Sequence, residues 1–129
     1  MSRWNRRVPL AVVLTGGLLL AACGGGSGSS NASSTKTAVG GKIDVNASDP
    51  FSFDVKTINA SPGPLTITLH EKGSTQHTFT ISSQKFEIKV STAHTTATGT
   101  VTLKAGTYDF KCSYPGHAAA GMVGKIVVG

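Results

Sequence analysis

The chain has 129 residues and a formal net charge of +6 at pH 7, a length that suits one small folded domain. Three units of this charge come from Arg3, Arg6 and Arg7; from residue 23 onward, nine lysines and six acidic residues leave a charge of about +3. These lysines are scattered, and no aromatic stacking platform accompanies them. The composition therefore argues against a nucleic-acid-binding protein.

Residues 1–22 are typical of a signal peptide. A positive segment is followed by an apolar one from residue 8 to about 20, which is too short to span a bilayer as a helix. The segment ends in Leu20-Ala21-Ala22-Cys23, and small residues ahead of a cysteine resemble the bacterial lipobox. We therefore predict that Cys23 is lipidated. A plain secretory signal cleaved near Ala22 is the alternative, and Arg6-Arg7 leaves a twin-arginine signal open.

Residues 24–41 are rich in Gly, Ser, Thr and Ala and hold almost no large apolar side chain. Such a segment cannot offset its chain entropy by burial, so it is predicted to be a flexible linker. The predicted organisation is a signal peptide (1–22), a lipidated cysteine with its linker (23–41) and a folded domain (42–129). A disulfide between Cys23 and Cys112 would suit an exported chain. It is not the favoured interpretation, because the residues around each cysteine predict a different role for it.

From about Lys42 the apolar residues alternate with a period of two, and no stretch keeps a helical period for three turns. Turn signals such as Ser61-Pro62-Gly63-Pro64 and Ala105-Gly106 separate the runs. About eight strands are predicted, at 42–45, 51–55, 65–70, 77–81, 86–90, 99–104, 107–112 and 123–128. Short strands at this spacing indicate an all-β fold, an antiparallel β-sandwich.

The last strand–loop–strand unit, residues 106–128, holds three metal-binding side chains at even spacing. Cys112 ends one alternating run and Met122 begins another; four residues separate His117 from each of them. The loop is small and contains Pro and Gly, so it can bring the three side chains together. One more imidazole would complete a site of two histidines, one cysteine and a weak axial methionine. That ligand set is diagnostic for an electron-transfer copper centre.

Among the four histidines, His77 is the best candidate for the second imidazole. It precedes a run in which Phe79 and Ile81 alternate with threonines, so its side chain is predicted to point inward with theirs. His70 alternates with Leu65, Ile67 and Leu69 along its strand, so its side chain is predicted to point outward. His94 lies in a Thr- and Ala-rich stretch that is predicted to be a loop. Both are expected at the surface.

Residues 108–128 resemble the cupredoxins, the small blue copper proteins. The loop Cys112-Ser113-Tyr114-Pro115-Gly116-His117, followed by Met122 at the family spacing, carries the resemblance. With His77 it covers about residues 41 to 129. It implies a Greek-key sandwich, one copper ion bound by His77, Cys112, His117 and Met122, and a role in electron transfer. Many members have Asn after the first histidine ligand, where it ties the ligand loops together; this chain has Thr78.

Other interpretations remain open for each ligand and for the whole chain. Cys112 could be an inert buried thiol, Met122 a core residue and His77 a hydrogen-bonded core histidine. A copper chaperone or storage protein is the functional alternative, although such sites are usually Met- or Cys-rich. Structural zinc would more often use two or more thiolates.

The expected protein is an electron carrier and not an enzyme, because no coordination position is left open and no acid/base pair lies nearby in the sequence. It is expected to be a monomer, lipid-anchored at the extracytoplasmic face of the cell membrane, and to exchange electrons with a redox donor and acceptor. The small, uncharged residues around His117 predict the electron port there. The Pro62-Gly63-Pro64 turn could extend this port if it lies at the same end of the sandwich.

Overall fold

The computed structural model describes residues 34–129. The predicted signal peptide, Cys23 and the predicted linker up to residue 33 lie outside this part of the chain. Among residues 34–129, no helix has the length and apolar character needed to cross a membrane. These residues form ten β-strands and one short 3-10 helix.

The strands form two sheets. Their bounds are β1 Thr35–Thr37, β2 Lys42–Ser48, β3 Ser52–Phe53, β4 Thr57–Ala60, β5 Gly63–Glu71, β6 His77–Ile81, β7 Phe86–Val90, β8 Thr96–Leu103, β9 Gly106–Lys111 and β10 Val123–Val128, with the 3-10 helix at Ser82–Gln84 between β6 and β7. One sheet has six strands in the order β1-β4-β10-β9-β6-β7, and the other has four in the order β3-β2-β5-β8.

The alternation of apolar residues explains how the two sheets pack. In β5, Leu65, Ile67 and Leu69 are buried, whereas the residues between them are partly exposed. Buried side chains of the six-stranded sheet complete the same core: Ile58, Phe79, Phe110 and Ile126. Each sheet thus buries one face, which is the arrangement of a β-sandwich. The predicted all-β sandwich is confirmed.

The pairing of the strands is mixed, where the sequence predicted an antiparallel fold of about eight strands. Three pairs are parallel: β1 with β4, β4 with β10, and β2 with β5. The predicted strand at 51–55 is reduced to β3, and β4 was not predicted. Because β4 contributes only two inward residues, Ile58 and Ala60, its pattern is too short to stand out.

The folded domain also begins earlier than the predicted boundary at residue 42. Strand β1 pairs with β4, and Lys36 Nζ donates to Asp44 O at 2.9 Å and to Asp54 Oδ2 at 2.6 Å. The last residues of the predicted linker, from Thr35, are therefore part of the sheet. Composition missed this strand because backbone pairing and one lysine hold it, without any large apolar side chain.

Three aromatic rings fix the strands that carry the site. Phe79 of β6 stacks on Phe110 of β9 with ring centroids 4.5 Å apart, and Phe53 contacts both at 5.7 and 5.6 Å. The Phe110 ring lies against Gly124 of β10, where a Cβ would come within 2.7 Å of Lys56 O. This packing holds β6, β9 and β10 side by side, so His77 and the loop between β9 and β10 meet at one end of the sandwich.

Candidate metal centre

The loop between β9 and β10 carries three of the four predicted ligands. Cys112 follows the last residue of β9, and Met122 precedes the first residue of β10. The N–H of Cys112 donates to Met122 O at 3.0 Å, and the N–H of Met122 donates to His117 O at 3.1 Å. Gly116 and Gly121 have φ values of +84° and +104°, which few other residues adopt. These glycines allow the loop to close tightly around His117.

The fourth predicted ligand, His77, is the first residue of β6 and reaches the same point. One ligand atom from each of His77, Cys112 and His117 lies within 4.8 Å of the others. Cys112 Sγ is 3.4 Å from His117 Nδ1, and the two imidazole centroids are 5.3 Å apart. The structure thus brings together three of the donors that the sequence selected, and it buries the Met122 side chain at the end of the same loop.

Burial differs among these residues in a way that matters for function. His77, Cys112 and Met122 are buried, with 0%, 1% and 0% of their surface exposed. His117 is only half-buried. The site therefore lies just beneath the surface, and His117 is the member of the set that solvent or a partner can reach.

The unsatisfied atoms of the site fit a soft metal ion. Neither ring nitrogen of His77 has a hydrogen-bond partner among the described residues, although both are buried, and Cys112 is a free, buried thiol. Burial lowers the pKa of His77, an effect that the charge of Glu71 opposes. A neutral imidazole is the form that binds metals. Two imidazoles, one thiol and a buried thioether are the donor set of a type 1 copper site.

The other two histidines are not part of this group. The His70 side chain is 28% exposed and its Nε2 lies 2.8 Å from Asp44 Oδ1 on the outer side of the four-stranded sheet. His94 is exposed in the loop between β7 and β8, where its N–H bonds Ser91. Neither contributes an atom to the metal-ligating groups of the described chain.

Thr78, the departure from the family pattern, ties the two ligand segments together. Its N–H donates to Cys112 Sγ at 3.4 Å, and its hydroxyl lies 3.8 Å from the same sulfur. The N–H of Ser113 donates to Thr78 Oγ1 at 2.7 Å. A second link joins Tyr114, whose hydroxyl donates to Gln76 Oε1 at 2.8 Å. Both neighbours of His77, Gln76 and Thr78, are therefore fastened to the segment that follows Cys112.

Two residues at the site were not selected from the sequence. Phe51 places its ring centroid 4.4 Å from that of His117 and remains 37% exposed. Glu71 is buried beside His77. Parity could have found Glu71, because it continues the inward series of Leu65, Ile67 and Leu69. No sequence pattern indicated that Phe51 would contact His117, since the position of Phe51 depends on the turn that precedes β3.

The Pro62-Gly63-Pro64 turn does not extend the surface around His117. Glu71, at the end of β5, contacts His77, whereas Gly63 begins the same strand eight residues earlier. At about 3.3 Å per residue, the two ends of β5 are roughly 26 Å apart. The turn therefore does not lie at the end of the sandwich that holds the site, which was the condition for it to extend the electron port.

Comparisons with known proteins agree with this fold. The model of the Cupredoxin-like domain family matches residues 17–128. Rusticyanin from Thiobacillus ferrooxidans is similar at 25% identity over 74% of this chain and 82% of its own, with a TM-score of 0.53. Auracyanin from Roseiflexus castenholzii shares 18% identity over 71% of this chain and 99% of its own, with a TM-score of 0.54.

A fern plastocyanin variant shares 21% identity over 67% of this chain and 100% of its own, with a TM-score of 0.53. No curated protein sequence matches the chain. The chain belongs to the cupredoxin-like family, and the resemblance inferred from the ligand loop is confirmed. The family and the His77, Cys112 and His117 cluster together support one copper ion as the cofactor.

Proposed function

We propose that this protein is a mononuclear blue copper electron carrier whose ligands are His77, Cys112, His117 and Met122. The observation that carries the proposal is the convergence of one ligand atom from each of His77, Cys112 and His117 within 4.8 Å, with both buried nitrogens of His77 lacking a partner in residues 34–129. Copper, when bound, supplies a one-electron couple between Cu(I) and Cu(II). The chain supplies the donors, their geometry and their insulation from water.

The protein holds the donors so that they need little rearrangement during electron transfer. Two imidazoles and a thiolate on a stiff sandwich give a geometry between the preferences of Cu(I) and Cu(II). The N–H of Thr78 holds the sulfur of Cys112, and backbone hydrogen bonds close the loop from Cys112 to Met122. Lys56 Nζ adds a bond to Gly121 O at the end of this loop. Rigid positioning of the metal ligands favours fast electron transfer to and from the site.

His117 is the proposed point of electron entry and exit. As a residue, His117 is partly exposed, whereas His77 is fully buried. The exposed residues Ala119 and Ala120, together with Pro115, present no charge to a partner. Phe51 packs against the His117 ring and extends this apolar surface. A redox protein could thus approach the imidazole edge without desolvating charged groups.

The location of the protein is a separate proposal, because residues 1–33 lie outside the described part. The lipobox-like Leu20-Ala21-Ala22-Cys23 supports export and lipidation at Cys23, which would keep the domain at the extracytoplasmic face of the cell membrane. The domain is proposed to act there as a monomer between a redox donor and a redox acceptor.

Repeated turnover in the presence of a chelator tests the carrier role. The copper-loaded protein is reduced with ascorbate and reoxidised with ferricyanide over several cycles, with a Cu(I) chelator present. A carrier retains its copper and returns the same absorbance in each cycle. Transfer of most of the copper to the chelator after the first reduction would instead indicate a chaperone or storage protein.

A further inference from the structure

Glu71 is the only buried carboxylate in residues 34–129; the other acidic residues of this part are exposed. It is the last residue of β5, and none of its side chain reaches solvent. The N–H of Glu71 donates to Thr95 O at 2.8 Å, which fixes the end of the strand. Because burying a carboxylate is costly unless it is hydrogen-bonded, the position of Glu71 calls for a compensating partner.

Only one of the two oxygens of the Glu71 carboxylate has a hydrogen bond within residues 34–129. Oε1 accepts from the N–H of Gly73 at 2.6 Å, whereas Oε2 has no hydrogen-bond partner among the described residues. Oε2 faces His77 Nε2 at 3.9 Å, and this nitrogen is also buried without a hydrogen-bond partner in the part of the chain that the structure describes. An acceptor oxygen and a ring nitrogen that can carry a proton therefore face each other, slightly beyond hydrogen-bonding distance.

Asp49, the other carboxylate near His77, is already occupied. Its oxygens accept from the N–H and hydroxyl of Ser74, both at 2.8 Å, and from the N–H of Thr75 at 3.0 Å. Asp49 is also exposed. It therefore anchors the loop before His77, and Glu71 is the carboxylate that is free to bond the ring.

We propose that Glu71 is a positioning residue for the copper site, one that acts through His77. With metal bound, His77 Nε2–H donates to Glu71 Oε2, which leaves Nδ1 as the nitrogen that binds copper. The hydrogen bond fixes the tautomer and the orientation of the ring, and it makes the imidazole a stronger donor, as carboxylates behind metal-bound histidines do. This inference rests on the proposed blue copper function.

The charge of Glu71 gives the proposal a measurable consequence. A stronger imidazole donor beside an anion stabilises Cu(II) more than Cu(I), so Glu71 lowers the reduction potential. Glu71→Gln keeps the shape and one acceptor but removes the charge; Glu71→Leu removes the acceptor as well. Both variants should have a higher potential than the wild type, with the larger rise in Glu71→Leu. Copper affinity should fall by about 10- to 100-fold.

The experiment compares the exported, processed wild type with both variants by voltammetry, by Cu(II) titration against a competing chelator, and by ¹H–¹⁵N NMR of the Cu(I) form. The wild type should show a slowly exchanging His77 Nε2–H signal that shifts in Glu71→Gln and is lost in Glu71→Leu. Asp44→Asn is the matched control, because it removes the same charge from an exposed side chain, and it should leave the NMR signal and copper affinity unchanged.

Unfolding of the apo protein separates this role from a structural one. Without metal, half of the carboxylate is unsatisfied, so apo Glu71→Gln should be at least as stable as the apo wild type while binding copper more weakly. If the wild type is blue but both variants have the same reduction potential, copper affinity and NMR signal as the wild type, the role of Glu71 is overturned. The blue copper assignment would remain intact. A wild type without the blue spectrum would overturn the proposed function itself.

Discussion

The hydroxyl of Thr78 accepts a hydrogen bond from the N–H of Ser113 at 2.7 Å and so joins strand β6 to the ligand loop. Ser113 in turn donates its hydroxyl to Glu87 at 2.8 Å, and Thr80 donates to the same carboxylate oxygen at 2.9 Å. The resemblance to the cupredoxins implied an asparagine at the position of Thr78. In this chain, a shorter side chain makes the link directly and the neighbouring hydroxyls extend it.

Removing this hydroxyl should loosen the site. Thr78→Val leaves the N–H of Ser113 without its partner, which should lower the free energy of unfolding by about 1–2 kcal/mol and speed the loss of copper to a chelator. Thr78→Ser keeps the hydroxyl and is the control. Chemical denaturation and the rate of copper release check both effects. Equal values for Thr78→Val and Thr78→Ser would show that the link contributes nothing.

Asp54 predicts a pH dependence of stability that is unrelated to the metal. Burial raises its pKa, but hydrogen bonds from Lys36 and Asn46 outweigh this effect and lower the pKa below its ordinary value. A lowered folded-state pKa means that Asp54 stabilises the fold above the unfolded pKa of about 3.9. That contribution is lost as the pH falls through the folded pKa.

Asp54→Asn should therefore be less stable than the wild type by about 1 kcal/mol at pH 7, and the difference should shrink between about pH 5 and pH 2. Urea denaturation across this range measures it. Asp109→Asn, at an exposed position of β9, serves as the control and should show a smaller difference at pH 7. A difference for Asp54→Asn that is the same at pH 3 and pH 7 would contradict this account.

Met122 is expected to tune the potential without creating the blue site. Met122→Gln supplies a harder oxygen donor and should lower the potential, whereas Met122→Leu removes the donor and should raise it. The blue absorption should persist in both, because Cys112 and the two histidines form the strong bonds. Voltammetry and visible spectra test this prediction. Unchanged potentials in both variants would leave Met122 as a core residue only.

The surface around His117 is expected to control the rate of electron exchange. A charge introduced by Ala119→Asp should slow self-exchange by disfavouring the close approach of two apolar faces. Thr102→Asp is the control. Thr102 pairs with Pro64 at the start of β5, at the opposite end of that strand from Glu71 and His77, so the same charge there should have a smaller effect. NMR line broadening in mixtures of both oxidation states measures the rate. Similar rates in the two variants would locate the port elsewhere.

Much of this site could be predicted from the alternation of inward and outward residues and from ligand spacing, because both patterns depend only on residues close together in the sequence. The alternation of His77, Phe79 and Ile81 indicated the inward direction of His77, and the spacing of Cys112, His117 and Met122 indicated a common loop. Both inferences concern residues on a single strand or loop. The structure places His77 and Cys112 inside the sandwich, as that reasoning expected.

Features that depend on tertiary contacts could not be predicted in the same way. Strand β1 has no apolar pattern and depends on its pairing with β4 and on the Lys36–Asp54 bond. The parallel pairing of β2 with β5 depends on which strands meet in space. The contact of Phe51 with His117 likewise depends on the packing of distant segments. The inward parity of Glu71 was visible, but its partner was not.

The spectrum of the copper-loaded protein tests the central claim most directly. Cu(II) is titrated into the apo protein while the visible absorption and the electron paramagnetic resonance signal are recorded. One equivalent should produce an intense blue absorption and the narrow copper hyperfine splitting of a thiolate-bound site. Cys112→Ser should abolish the blue colour, and His70→Ala and His94→Ala should retain it. A colourless complex with an ordinary tetragonal copper signal would contradict the assignment.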